Sequence, residues 1–174
     1  MQLSYAITPS AARAGLLYDI GATDIVTRTA SVALPFGSFV VKAAGDGNIA
    51  LPSAAPNAIS SVIEGVVIFD MDTQSGLAGD GVTPGVEATK PSNILQRGRI
   101  WIYCETAFNP DADTLYVRYT ANGALVPGNV RKDTDGGKAA QLGASGFLVG
   151  YKALNTLTAA GFLALDINVM ETVR

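Results

Sequence analysis

The stretch Arg97-Gly98-Arg99-Ile100-Trp101-Ile102-Tyr103-Cys104-Glu105-Thr106 decides how this chain is read. Successive side chains of an extended backbone point to opposite faces. Ile100, Ile102 and Cys104 therefore form one aliphatic face, and Arg99, Trp101, Tyr103 and Glu105 share the other. The aliphatic face belongs in a core and the mixed face is amphipathic, so the stretch predicts a β-strand.

The same signature spreads in both directions. Ile25 to Leu34 is rich in Val, Thr and Ala and stops at Pro35-Phe36-Gly37. Phe39-Val40-Val41-Lys42-Ala43 and Ile49-Ala50-Leu51, joined by a Gly/Asp-rich link, read as a hairpin. Ile63 to Met71 is a further strand, with Gly65 where a bulge or a close backbone approach would be natural. Asp72 to Asn93 shows no period and is dense in Gly and Pro, which predicts a docking loop with room for a short edge strand at Val86-Glu87-Ala88. Downstream, Leu115 to Tyr119 leads to the turn Ala121-Asn122-Gly123 and then Ala124-Leu125-Val126. Phe147 to Tyr151 and the alternating Phe162 to Val169 complete the series. Eight to ten short strands with little helical period predict an all-β fold, a small β-barrel or β-sandwich.

The first 22 residues differ from the rest and read as an N-terminal arm, leaving residues 23–174 as the β domain. Small residues from Pro9 to Gly15 precede the apolar knot Leu16, Leu17, Tyr18 and Ile20. These four are the candidate contacts with a partner or a sister subunit. The equal alternative is that they cover an open end of the core.

Composition narrows the chemistry. The 174 residues include no histidine and one cysteine, Cys104. A Ser-His-Asp triad, a Cys-His pair, a His-ligated zinc and an intrachain disulfide are all excluded. Charged residues make up only 16%, against roughly 25% in average soluble domains. With a mean hydropathy of +0.28, this points to surface covered by a partner. A net charge of −3 gives no cationic field for phosphates, so no nucleic-acid partner is expected. No window reaches the 18 apolar residues of a membrane span, and the N-terminus lacks a secretory pattern, so no membrane partner or export is expected.

Two further motifs carry weaker signals. Asp133-Thr134-Asp135-Gly136 resembles the opening of a calcium loop, but Ala144 stands where the closing bidentate Glu belongs. A Gly/Asp turn is the expectation, with no metal. Asp70 and Asp72 share a face at strand spacing, as an acid-base pair would, yet they lead into a loop where solvated Asp is ordinary. Cys104 lies on the aliphatic face with no base beside it and is expected to act as a small hydrophobe. Trp101, Tyr103, Tyr116 and Tyr119 offer an aromatic face, which keeps a carbohydrate- or receptor-binding β-module as the alternative function.

The order of Asp24-Ile25-Val26, Ala33-Leu34-Pro35-Phe36-Gly37, Val40-Val41, Gln96 to Ile102, Val130 to Gly137 and the Leu163–Val169 strand resembles tailed-bacteriophage capsid cement (decoration) proteins. The resemblance spans Leu16 to Met170. It implies a non-enzymatic protein with no cofactor and no catalytic residue. Such a protein would be made in the host cytoplasm and would bind the outer surface of the assembled virion capsid. There it would stabilise the shell by bridging neighbouring major capsid proteins, as a homo-oligomer, a dimer or trimer.

Overall fold

A computed structural model describes residues 13–19, 21–53, 62–69, 76–78, 83–143 and 149–169. Among these there is no helix, and the chain is all-β, as the strand spacing predicts. The first strands are β1 (Asp24–Ala30), β2 (Leu34–Pro35), β3 (Phe39–Lys42), β4 (Asn48–Ala50) and β5 (Ile63–Val67). β6 (Gly76–Ala78), β7 (Thr83–Val86), β8 (Pro91–Cys104) and β9 (Tyr116–Arg118) follow. The last are β10 (Val130–Arg131), β11 (Ala139–Gln141), β12 (Val149–Ala153) and β13 (Gly161–Val169).

Five strands close into a barrel in the order β1-β4-β3-β5-β8, with β1 pairing back onto β8. Each gives side chains to one apolar cluster: Val26 and Ala30, Ile49, Val40, Val67 and Ile94. This cluster is the barrel interior. Leu34 of β2, Val86 of β7 and Phe36 join it, where β2, β7 and β6 form a separate three-stranded sheet.

A second cluster lies on the other side of β3, β5 and β8. Phe39, Val41, Val66 and Leu95 face it, with Ile100, Ile102 and Cys104. From the rest of the chain it takes Leu115, Val117, Val130, Leu163, Leu165 and Ile167, among others. Strands buried on both faces need unbroken apolar runs, which is why Phe39-Val40-Val41, Val66-Val67-Ile68 and Ile94-Leu95 do not alternate. β1 has no second layer outside it, so Ile25, Thr27 and Thr29 are exposed while Ala30 is buried.

β8 connects the two halves, and its neighbours change along both edges. On one edge β1 pairs it up to Arg97, and β13 then pairs Arg97 to Cys104. On the other, β5 pairs Ile94 and Leu95, Leu17 bridges Ile100, and β10 pairs Cys104. Gly65 has φ of 151°, and the β3–β5 register shifts beside it. A Cβ there would stand 2.4 Å from the Leu95 carbonyl oxygen, so the expected bulge and the close backbone approach both occur. The segment read as an aperiodic loop contains β6, β7 and the start of β8. Ala124 to Val126 is no strand, and only Asn122 and Leu125 form a bridge there.

Candidate functional site

The segment from Arg13 to Asp19 runs antiparallel along β8. Gly15 N–H donates to the Trp101 carbonyl at 2.8 Å, Trp101 N–H to Leu16 at 2.9 Å and Tyr18 N–H to Arg99 at 2.9 Å. On its other side Phe69 N–H donates to the Gly15 carbonyl at 2.8 Å. Gly15, at φ of 81°, has no room for a side chain, since a Cβ would lie 2.7 Å from the Phe69 nitrogen. The Arg13 guanidinium sits over the Phe69 ring at 5.1 Å, and Arg99 pairs with Asp19 at 2.7 Å and Asp166 at 3.1 Å. That exposed pair of contacts adds little to stability.

This seating separates the four candidate contact residues. Leu17 turns inward and packs on the larger core. Leu16 and Tyr18 turn outward, 43% and 46% exposed. Tyr18 packs against Trp101 at 5.2 Å between ring centroids. Leu16, Tyr18 and Trp101 thus form an apolar ledge on a hydrogen-bonded backbone. Ile20 lies outside the described residues.

The aromatic face anticipated from the sequence divides. Trp101 goes with Tyr18, while Tyr103 packs edge-on against Phe162 at 6.0 Å. The Tyr119 hydroxyl donates to the Gly137 carbonyl and lines a different depression, beside Val32 and Leu51. Next to the ledge is a groove of about 540 Å³, walled by Phe36, Pro84, Tyr103, Val126 and Phe162, with Arg13 at its edge.

An ion network that sequence reasoning missed fixes the loops behind β8. The Arg118 side chain is 0% exposed and Glu105 1%. Arg118 grips Glu105 through two nitrogens, at 2.8 and 2.7 Å. It also reaches Asp135 at 2.8 Å and the Thr120 carbonyl at 3.1 Å. Arg131 joins Asp133 at 2.6 Å, Asp135 at 3.1 Å and Glu105 at 3.4 Å. The hydrogen bond to Glu105 raises the Arg118 guanidinium pKa further above its ordinary value. The Arg118 hydrogen bond, with help from Asn122, holds Asp135 below the ordinary carboxylate value. The carboxylates of Asp133-Thr134-Asp135-Gly136 therefore go to arginines. Between Val117 and Tyr119, Arg118 looks like a solvent-facing strand residue, so the sequence carried no signal for its burial.

Cys104 is buried, its Sγ 3.3 Å from the Thr106 carbonyl, and burial pushes its thiol pKa up. It packs as an apolar side chain. Asp70 and Asp72 lie outside the described residues. Among the described residues, no group of three or more Cys, Asp or Glu is placed to hold a metal ion.

A family model described as structural cement protein (E217 gp24/Pam3 gp6) matches residues 1–168. Among solved structures, the chain is similar to one from the capsid of Myoviridae Phage XM1, at 16% identity and a TM-score of 0.65. The match covers 97% of this chain and 98% of that one. It is also similar to the head fiber gp8.5 N base of bacteriophage phi29, at 10% identity and a TM-score of 0.44, over 88% of this chain and 100% of that one. The first likeness is one of fold, and the second is too distant to support an argument. No curated protein sequence matches this chain.

Proposed function

Because the chain belongs to the phage structural cement protein family, we propose that it binds the outer surface of the assembled capsid and bridges neighbouring major capsid proteins. The family implies a structural role in the virion capsid without catalysis. In the proposed role the protein is a dimer or trimer and resists outward pressure on the shell. Several weak contacts made by one oligomer reinforce each other, because each later contact forms at high effective concentration.

The family match over residues 1–168 carries this reading, and the ledge supports a location for the contact. Leu16 and Tyr18 project from a backbone held on β8, so little conformational freedom is lost when they are covered. Leu17 anchors the segment from within. Ile20, next in the sequence after Asp19, completes the proposed contact set.

The test is co-sedimentation of purified protein with capsids that lack it, scored by occupancy. Replacing Leu16→Asp together with Tyr18→Asp is expected to weaken binding at least about tenfold, the scale of losing one interface anchor. Ile25→Asp, on the exposed outer face of β1, is expected to bind as the parent does. Unchanged occupancy in the double variant, with its far-ultraviolet spectrum intact, would remove the ledge from the interface.

A further inference from the structure

We propose that the groove beside the ledge is a recognition site for an extended segment of a partner protein that carries an aromatic side chain next to a carboxylate. Its volume of about 540 Å³ falls in the range of about 300–1,000 Å³ that ligand sites occupy. The apolar walls are fixed by the rest of the fold. Phe36 is 5% exposed and belongs to the barrel cluster. Its N–H donates to the Pro84 carbonyl at 3.2 Å, and its ring meets Phe69 edge-on at 5.0 Å. Tyr103 and Phe162 are held in register on β8 and β13 and pack edge-on. An incoming ring therefore meets aromatic partners already in place, in the tilted geometries such pairs prefer, and little side-chain freedom is lost on binding.

Charge names the second part of the occupant. No Asp or Glu lines the groove. Arg13 stands at its edge over the Phe69 ring, and among the described residues no carboxylate pairs with it. A ring face attracts the cation but offers no oxygen to the N–H fork of the guanidinium. Arg99, Arg118 and Arg131, by contrast, each hold carboxylates of this chain. The complement of Arg13 has to come from outside. Asn129 adds a third feature. Its N–H donates to the Val126 carbonyl at 3.4 Å and its carbonyl accepts from Arg118 N–H at 2.9 Å, so its main chain is occupied. The side-chain amide remains, with donors and an acceptor that complement one peptide unit. A ring, a peptide unit and a carboxylate together describe an aromatic residue beside an acidic one in an extended chain.

The inference goes beyond capsid binding and is tested on the free protein, so either reading can fail alone. The probes are three blocked dipeptides, acetyl-Phe-Asp-amide, its uncharged isostere acetyl-Phe-Asn-amide, and acetyl-Ala-Asp-amide, titrated by nuclear magnetic resonance. The Phe-Asp probe is expected to shift the Asn129 side-chain amide and the Ala124 methyl. It should bind about fivefold more tightly than the Phe-Asn probe, the scale of one exposed charge pair, and the Ala-Asp probe should bind more weakly than both. Arg13→Gln is expected to erase the preference for Asp and leave Phe-Asn binding unchanged. Ala124→Asp, on the exposed wall, should weaken the Phe-Asp probe alone. Equal affinity for the Asp and Asn probes, a preference that survives Arg13→Gln, or no shift at Asn129 would overturn the proposal. Groove signals that move with protein concentration and not with any probe would assign the groove to a second copy, which also overturns it.

Discussion

Arg118 is the residue whose removal the molecule should tolerate least. It is wholly buried and neutralises Glu105, which is buried with it. Taking away Arg118 leaves Glu105 buried with only the longer 3.4 Å contact to Arg131, and breaking a buried pair in this way costs up to about 3–5 kcal/mol. Arg118→Met should lower the urea midpoint by a corresponding amount with little change in slope, and adding Glu105→Leu should recover part of the loss. Asp135 supplies a pH signature. Its pKa is depressed in the folded chain by Arg118, so its contribution is full above the unfolded value of about 4. That contribution disappears as pH falls through the lower folded value. The difference in urea midpoint between the parent and Asp135→Asn should stay constant from pH 8 to 5, then shrink below about pH 4. None of this could be read in the sequence. Ile100, Ile102 and Cys104 announced their burial by alternation, but an arginine enters a core only when distant partners converge on it.

Among the elements, β8 was legible in its second half and hidden in its first. Arg97 to Cys104 alternates. Pro91 to Asn93 closes the Gly/Pro-rich aperiodic stretch that reads as a loop, although β1 pairs with it. Proline is allowed at the first position of a strand, and β8 begins there. β6 and β7, three and four residues long, are too short for a period to show. Gly65 was readable because a lone glycine in an apolar run marks a close approach. Gly65→Ala should destabilise by more than about 1 kcal/mol, because the new methyl meets the Leu95 carbonyl at a backbone angle that alanine rarely adopts. A thermal melt checks this, and an unchanged transition would show that β5 can shift away from β8 at little cost.

At the scale of the whole molecule, two apolar clusters share the strands β3, β5 and β8. Ile94 faces the barrel interior and Ile102 the larger core. Ile94→Ala and Ile102→Ala should each cost about 2–5 kcal/mol. Because β8 is hydrogen-bonded into both halves, each should move a single transition, followed by Trp101 fluorescence and far-ultraviolet dichroism together. Two separated transitions in either variant would show that the halves melt as independent units. The class of fold was open to inspection from the start, since many short strands allow few architectures. The doubling of the core was not, because an apolar run says that both faces are covered without saying by what. The candidate contact residues were legible as an apolar knot, and only their seating distinguishes the inward Leu17 from the outward Leu16 and Tyr18. That seating has a mechanical consequence. The bonds from Gly15, Leu16 and Tyr18 to β8 lie side by side across two antiparallel chains, so tension drawn along the segment loads them in shear. They must then yield together, where peeling would break them one by one, and a tug on the ledge reaches both hydrophobic clusters through β8, which gives side chains to each.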